Sequence, residues 1–252
     1  MGHLLVGPLP KTRKWQEVVT LIALEADVPE VASSVLEASQ KAFDNISNDP
    51  GLNLAFWLLL QLPLAAHEAH FSEALKAHGI NVSETPGIFE IITAFRTAIE
   101  NKLRADQSLT DIGEMALLSA SESLASAILE KTESLFGRTP ADVRHAFASL
   151  SKSREFAGFS RIFFSKFVNR YLSYFLSREL SNQVGVDGRF ENIAEYGEFS
   201  YELDRHCWEI TKIIEGFSGG WYAKAQAEGL NKIKASGFLA HAFTKIRGAL
   251  EK

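Results

Sequence analysis

Gly216-Phe217-Ser218-Gly219-Gly220 fits G-x-S-x-G, the pattern of a nucleophile elbow, and Glu228 and His241 follow in the order serine, acid, base. In that acyl-transfer chemistry a strand delivers the serine to a strained turn above a parallel sheet, and backbone N–H groups beside it hold the oxyanion. Here Trp208 to Glu215 reads as helix, no βα unit precedes it, and only 34 residues follow Ser218. The glycines are expected to stop a helix and turn Trp221 and Tyr222 back onto the body. Serine hydrolysis through Ser218 stands as an alternative function.

Histidines offer a second chemistry. His67, His70 and Glu73 are spaced i, i+3 and i+6, so one continuous helix would set them on a common face where a metal could be held. The second histidine comes one residue early for H-E-x-x-H, and no cysteine cluster completes a shell. Asp142 and His145 make one D-x-x-H pair, whereas a di-iron bundle needs two E-x-x-H motifs and two further carboxylates. No metal is expected. Glu198, Glu202, Arg205 and Glu209 share a helical side near His206 and Cys207, and the spacing favours a solvated ladder of charges over an acid–base site. His206 points about 100° away from Cys207 on a helix, so it is not placed to activate that thiol.

Neither G-x-x-x-x-G-K-[ST] nor G-x-G-x-x-G occurs, which leaves nucleotide cofactors unsupported. Basic side chains gather at Lys152, Arg154, Arg161, Lys166, Arg170 and Arg178, against Glu155 and Glu179, in an aromatic context. These six are the candidate nucleic-acid-binding residues. At about 100° per residue they spread over several sides of a helix, which weakens a single phosphate-tracking stripe.

The elements that must position these groups are helices. From Phe156 to Leu180, aromatics at 156, 163, 167, 171 and 174 recur at helical spacing, Phe164 and Phe175 widen that face, and Ile162, Leu172, Leu176 and Leu180 add a second apolar strip. Such a helix must be largely enclosed by protein. Further helices are expected over about Thr12–Ala26, Pro29–Ile46, from Leu52, Thr85–Leu103, Thr110–Phe136, Thr139–Leu150 and Ala194–Glu215. A last one lies in Trp221–Lys252, with an apolar stripe from Ile233 to Leu250. Thr85-Pro86 and Thr139-Pro140 each read as a threonine N-cap with proline in the first turn. Ser119, Ser123 and Ser126 are small enough to admit a close neighbour.

Leu52 to Ala66 is the most apolar run, but Asn53, Gln61 and Pro63 interrupt it, and a membrane span wants about 18 or more apolar residues. It is expected to be a core helix kinked at Pro63. A membrane-active helical effector exposing this run, as in a prokaryotic antiviral system, is the other alternative function.

The 252 residues carry a net charge of −5, divided unevenly: residues 1–137 hold 9 Lys and Arg against 18 Asp and Glu, and residues 138–252 hold 17 against 13. The expected architecture is all-α, about eight helices. An acidic N-terminal bundle (1–137) and a basic C-terminal bundle (138–252) join around the aromatic helix, with a boundary at Gly137, or form one compact domain. Cys207 is alone, which excludes an internal disulfide and suits a reducing, cytoplasmic setting. The Met1–Val6 start carries no recognisable targeting signal. The expected function is that of a non-enzymatic interaction or assembly subunit, binding partner protein or itself, with nucleic acid as a further partner.

Overall fold

Helix starts in this chain are written by small polar caps. Thr12, Asp27, Asp49, Thr110, Thr139, Asn192 and Asn231 each accept a backbone N–H from the first turn that follows. Among the residues that the computed structural model describes, 12–132, 139–186 and 188–251, these caps open seven of twelve α-helices, and no strand is present beyond an isolated Val184–Phe190 bridge. The helices are α1 (Arg13–Ala23), α2 (Val28–Ala38), α3 (Gln40–Asp44), α4 (Pro50–Ala65), α5 (Phe71–Ala77) and α6 (Ile88–Ala105). They continue with α7 (Asp111–Lys131), α8 (Pro140–Ser149), α9 (Ser153–Leu180), α10 (Ile193–Ile210), α11 (Lys212–Ala227) and α12 (Lys232–Leu250).

Helix α9 is the hub, packed on by α2, α7, α10 and α11. Its Phe156, Phe163, Phe164, Phe167, Tyr171 and Phe175 are buried, and each meets rings from other elements or from its own turns. Phe156 stacks on Tyr222 at 3.9 Å, and Phe164 and Phe167 both set their edges or faces against Phe243 of α12. The aromatic helix is thus the centre of one apolar cluster running from Trp15 to Leu250.

The most apolar helix, α4, lies inside. Leu52, Phe56, Leu59, Leu60 and Leu62 are buried against α7, α6, α8 and α12. Pro63 withholds the N–H that Leu59 would otherwise receive, and the Tyr222 hydroxyl donates to the neighbouring Leu60 carbonyl at 2.8 Å. Helices α4 and α7 meet at Gly51 and Gly113. A Cβ on Gly51 would overlap Gly113 Cα, and one on Gly113 would lie 3.0 Å from Gly51 Cα. Asp49 and Thr110 cap the two helices at this crossing, and burial holds the Asp49 carboxyl above its ordinary range. Of the serines expected to admit a close neighbour, Ser119 and Ser123 are fully buried on α7, and Ser126 is exposed.

The all-α bundle is as expected, and its twelve helices among the described residues, against about eight expected, arise because several breaks have no Gly or Pro behind them. The segment 29–46 divides at Ser39, whose hydroxyl bonds back to the Val35 carbonyl at 2.8 Å. Thr85-Pro86 does not begin a helix: α6 starts at Ile88 with Gly87 in the cap position. The glycines at 216, 219 and 220 stop nothing, since all three lie within α11, and the actual break falls earlier, at Thr211. Ile233, expected in the inner stripe of α12, is exposed, while Phe238, Leu239, Ala242, Phe243, Ile246 and Leu250 are buried. Gly137, Phe136 and Asp187 lie outside the described residues.

Candidate functional site

Ser218 sits in the middle of α11, fully buried, with no hydrogen-bond partner for its hydroxyl among the described residues. The neighbouring Gly219 has a packing role. A Cβ there would fall on the Ser153 carbonyl oxygen, so Gly219 lets α11 press against the first turn of α9, whereas Gly216 and Gly220 face open space. A nucleophile elbow needs a strand-to-helix turn, and Ser218 is on a continuous helix.

The histidines are separated by a chain reversal. Helix α4 ends at Ala65, His67 lies in the turn, and His70 precedes α5, so His67, His70 and Glu73 do not share one helix face. His67 Nε2 lies 2.8 Å from Ser151 Oγ, but the Ser151 hydroxyl is directed to the Ala148 carbonyl at 2.7 Å, which makes the imidazole the donor rather than the base. Asp142 is taken up by capping. The Thr139 hydroxyl and N–H bond its carboxylate and hold it below the ordinary range. No group of three or more His, Cys, Asp or Glu able to hold a metal occurs among the described residues. The Cys207 thiol is fully buried, and burial pushes its pKa far upward.

The six basic residues divide. Arg161 is buried: its Nε and Nη2 donate to the Trp208 carbonyl at 3.1 and 2.9 Å, Nη1 reaches Glu215 Oε1 at 3.2 Å, and its guanidinium lies 3.8 Å from the centroid of the Trp208 ring. Thr211 Oγ1 bonds back to Cys207 O at 2.7 Å, so the end of α10 is fixed from both sides. Arg161 therefore makes the α10–α11 corner. Lys166 pairs with Glu122 at 3.2 Å, and Arg170 pairs with the same carboxylate, joining α9 to α7. Lys152, Arg154 and Arg178 are exposed, Arg178 over the Tyr174 ring.

Beyond that corner lies a face that sequence reasoning missed. Helix α10 buries Phe199, Leu203 and Cys207, yet exposes Ile193 (78%), Tyr201 (71%) and Trp208 (37%), and Ile213 at the start of α11 is 42% exposed. At 100° per residue Tyr201 and Trp208 fall within about 20° of each other, and Ile193 lies about 60° to 80° round the helix from them, with exposed Asp204 in the sector between. Glu195, Glu198, Glu202 and Glu209 occupy the adjoining sector of about 60°. The helix carries five carboxylates against one guanidinium, Arg205. The signal was present in the sequence: Tyr201 and Trp208 stand seven apart among the charges at 198, 202, 205 and 209, on the side that polarity assigns to water.

Next to this face, His206 lines a cavity with Asp27, Glu30, Ser33, Glu37 and Glu251. Its Nε2 is buried without a partner among the described residues, and burial lowers its pKa despite the opposing charge of Asp27. Compared with protein-family models, curated proteins and solved structures, the chain matches none.

Proposed function

We propose that the protein is a non-enzymatic helical interaction subunit, docking onto a partner protein through the outer face of α10 and the start of α11, in a reducing compartment. The observation that carries this reading is the exposed strip of Ile193, Tyr201, Trp208 and Ile213 on helices whose inner faces are already packed. Large side chains held in water at helical spacing cost hydrophobic free energy that a partner surface recovers. Arg161 supports the reading by fixing the ring of Trp208 from beneath, so the strip is rigid before a partner arrives.

The candidate chemistry argues in the same direction. Ser218 is enclosed in a helix, Cys207 is buried and strongly protonated, and Asp142 serves as a cap. A nucleic-acid reading retains Lys152, Arg154 and Arg178, the exposed members of the basic set. It requires affinity that falls steeply with salt and drops when Lys152 and Arg154 are replaced together.

The test is recovery of the native full-length protein with its bound molecules, in parallel with an Ile193→Ser/Tyr201→Ser variant. A protein retained by the natural chain and lost from the variant supports docking through α10. Identical sets from both overturn it.

A further inference from the structure

We propose that the outer face of α10 receives a basic amphipathic helix of a partner protein. This rests on the docking reading above and adds the chemistry of the occupant. From Ile193 to Trp208 the strip runs fifteen residues, about 22 Å at 1.5 Å per residue, the length that four turns of a bound helix cover. Its anchors are two aromatic side chains, Tyr201 and Trp208, nearly in line along the helix, with Ile193 about 60° to 80° round from them at the N-terminal end, a patch that an apolar stripe at i, i+3, i+4 and i+7 on a second helix can cover.

Charge selects among occupants. Glu198, Glu202 and Glu209 form an exposed carboxylate sector beside the apolar strip, with Arg205 between sector and strip and with Glu195 at its far edge accepting the Glu191 N–H at 2.8 Å. Among the described residues, Glu202 stands near the Arg189 guanidinium, which is itself engaged with the Ala26 carbonyl and the rings of Phe190 and Phe199. Across the groove beyond His206 the surface continues acidic through Asp27 and Glu30, while Glu251 is paired with Arg247 at 2.8 Å. Phosphate-bearing surfaces, whether nucleic acid or anionic lipid, are repelled by such a sector, and an acidic helix is repelled likewise. Lysine and arginine flanking an apolar stripe complement both features at once. The sequence as a whole divides into an acidic and a basic half, and α10 is an acidic element within the basic half, so the sector is a local feature rather than a reflection of overall charge.

The experiment uses the full-length protein and a fluorescein-labelled 18-residue Leu/Lys amphipathic helix, read by anisotropy at low and at physiological salt. Two control peptides accompany it: one with lysine replaced by glutamate, and one with the Leu/Lys composition scrambled so that no apolar stripe forms. The Leu/Lys helix is expected to bind at least tenfold more tightly than either control. Tyr201→Ser and, separately, Glu198→Lys/Glu202→Lys are each expected to weaken it about tenfold or more, the second also flattening the salt dependence. Phe89→Ser, at an exposed aromatic on α6, is expected to change nothing. Equal affinity for the scrambled peptide, or an unchanged affinity in Tyr201→Ser, overturns the proposal. So does a dimer in sedimentation that Tyr201→Ser dissolves, because a second copy is then the occupant. All four substituted positions are exposed, and matching thermal melts confirm that the variants are folded. If native recovery yields a partner lost from the Ile193→Ser/Tyr201→Ser variant but the Leu/Lys helix fails to bind, the docking reading stands and the basic-helix class falls.

Discussion

Helices α9 and α10 lie side by side and use the same residue types in opposite ways. In α9 three of the basic side chains that look like a surface are turned inward or paired, while Arg154 and Arg178 at its two ends stay exposed: Arg161 holds the corner of α10, and Lys166 and Arg170 share Glu122 across to α7. In α10 Ile193, Tyr201 and Trp208 are turned outward, while Glu198, Glu202 and Glu209 beside them remain in water. Residue type alone therefore assigns neither a face nor a role. A guanidinium is taken into the interior when a carbonyl, a carboxylate and an aromatic ring converge on it, and a tyrosine is left out when the inner sector of its helix is already filled by Phe199, Leu203 and Cys207.

Breaking the interior should be far costlier than altering the α10 face. The largest effect is expected from Leu59→Glu on α4, which puts an unpaired charge among fully buried leucines and should leave no cooperative unfolding transition by circular dichroism in urea. A folded Leu59→Glu protein that lost only liposome leakage would instead favour a membrane-active role. Arg161→Ala comes next. It removes both guanidinium donors from the Trp208 carbonyl, leaving it only the Thr211 hydroxyl at 3.1 Å, and frees the half-exposed Glu215 from its partner, for a loss of about 2 kcal/mol in denaturant titration, whereas Arg178→Ala on the exposed turn should cost less than about 0.5 kcal/mol. Equal losses for the two would erase the contrast between the inward and outward charges of α9.

Ser218→Ala separates chemistry from packing. The hydroxyl is buried without a partner, so its removal should be neutral or stabilising by up to about 1 kcal/mol, and the natural protein should not label with a serine-directed fluorophosphonate. Labelling that disappears in Ser218→Ala would restore the hydrolase. The His206 imidazole has a lowered pKa in the folded state, so the unfolded chain binds its proton first as pH falls. Its contribution is complete above about pH 6.5 and is lost as pH drops through that value toward the folded pKa. The slope of stability against pH between 7 and 5 should be shallower in His206→Gln, as measured by urea titrations across that range. Smallest of all is Tyr201→Ser, expected to shift stability by no more than about 0.5 kcal/mol in thermal melts while changing what the protein binds.

The fold was largely readable. Periodicity in Phe156–Leu180 identified a helix buried on nearly all sides, and Thr139 followed by Pro140 located the start of α8, because capping and amphipathic spacing are local physics. Boundaries set by side chains bonding back to their own helix, as at Ser39 and Thr211, were not. The same serine and threonine types also occur inside helices, at Ser119 and Ser123, without ending them. The glycines of α11 misled for a related reason. Glycine marks a helix end when the backbone must turn left-handed, and marks a close crossing when another backbone approaches, and the sequence is silent on which neighbour is near. Gly219 is of the second kind, because the Ser153 carbonyl fills the space where its Cβ would be.

What the sequence determined by itself was the class of architecture and the location of its aromatic centre, since helical propensity, caps and the spacing of apolar residues act within a few turns of chain. Tertiary structure decided which charges are spent inside and which apolar side chains are left outside. Arg161 is separated from Trp208 by 47 residues and from Glu215 by 54, and an interaction across that much chain exists only once α9, α10 and α11 have been brought together by the core.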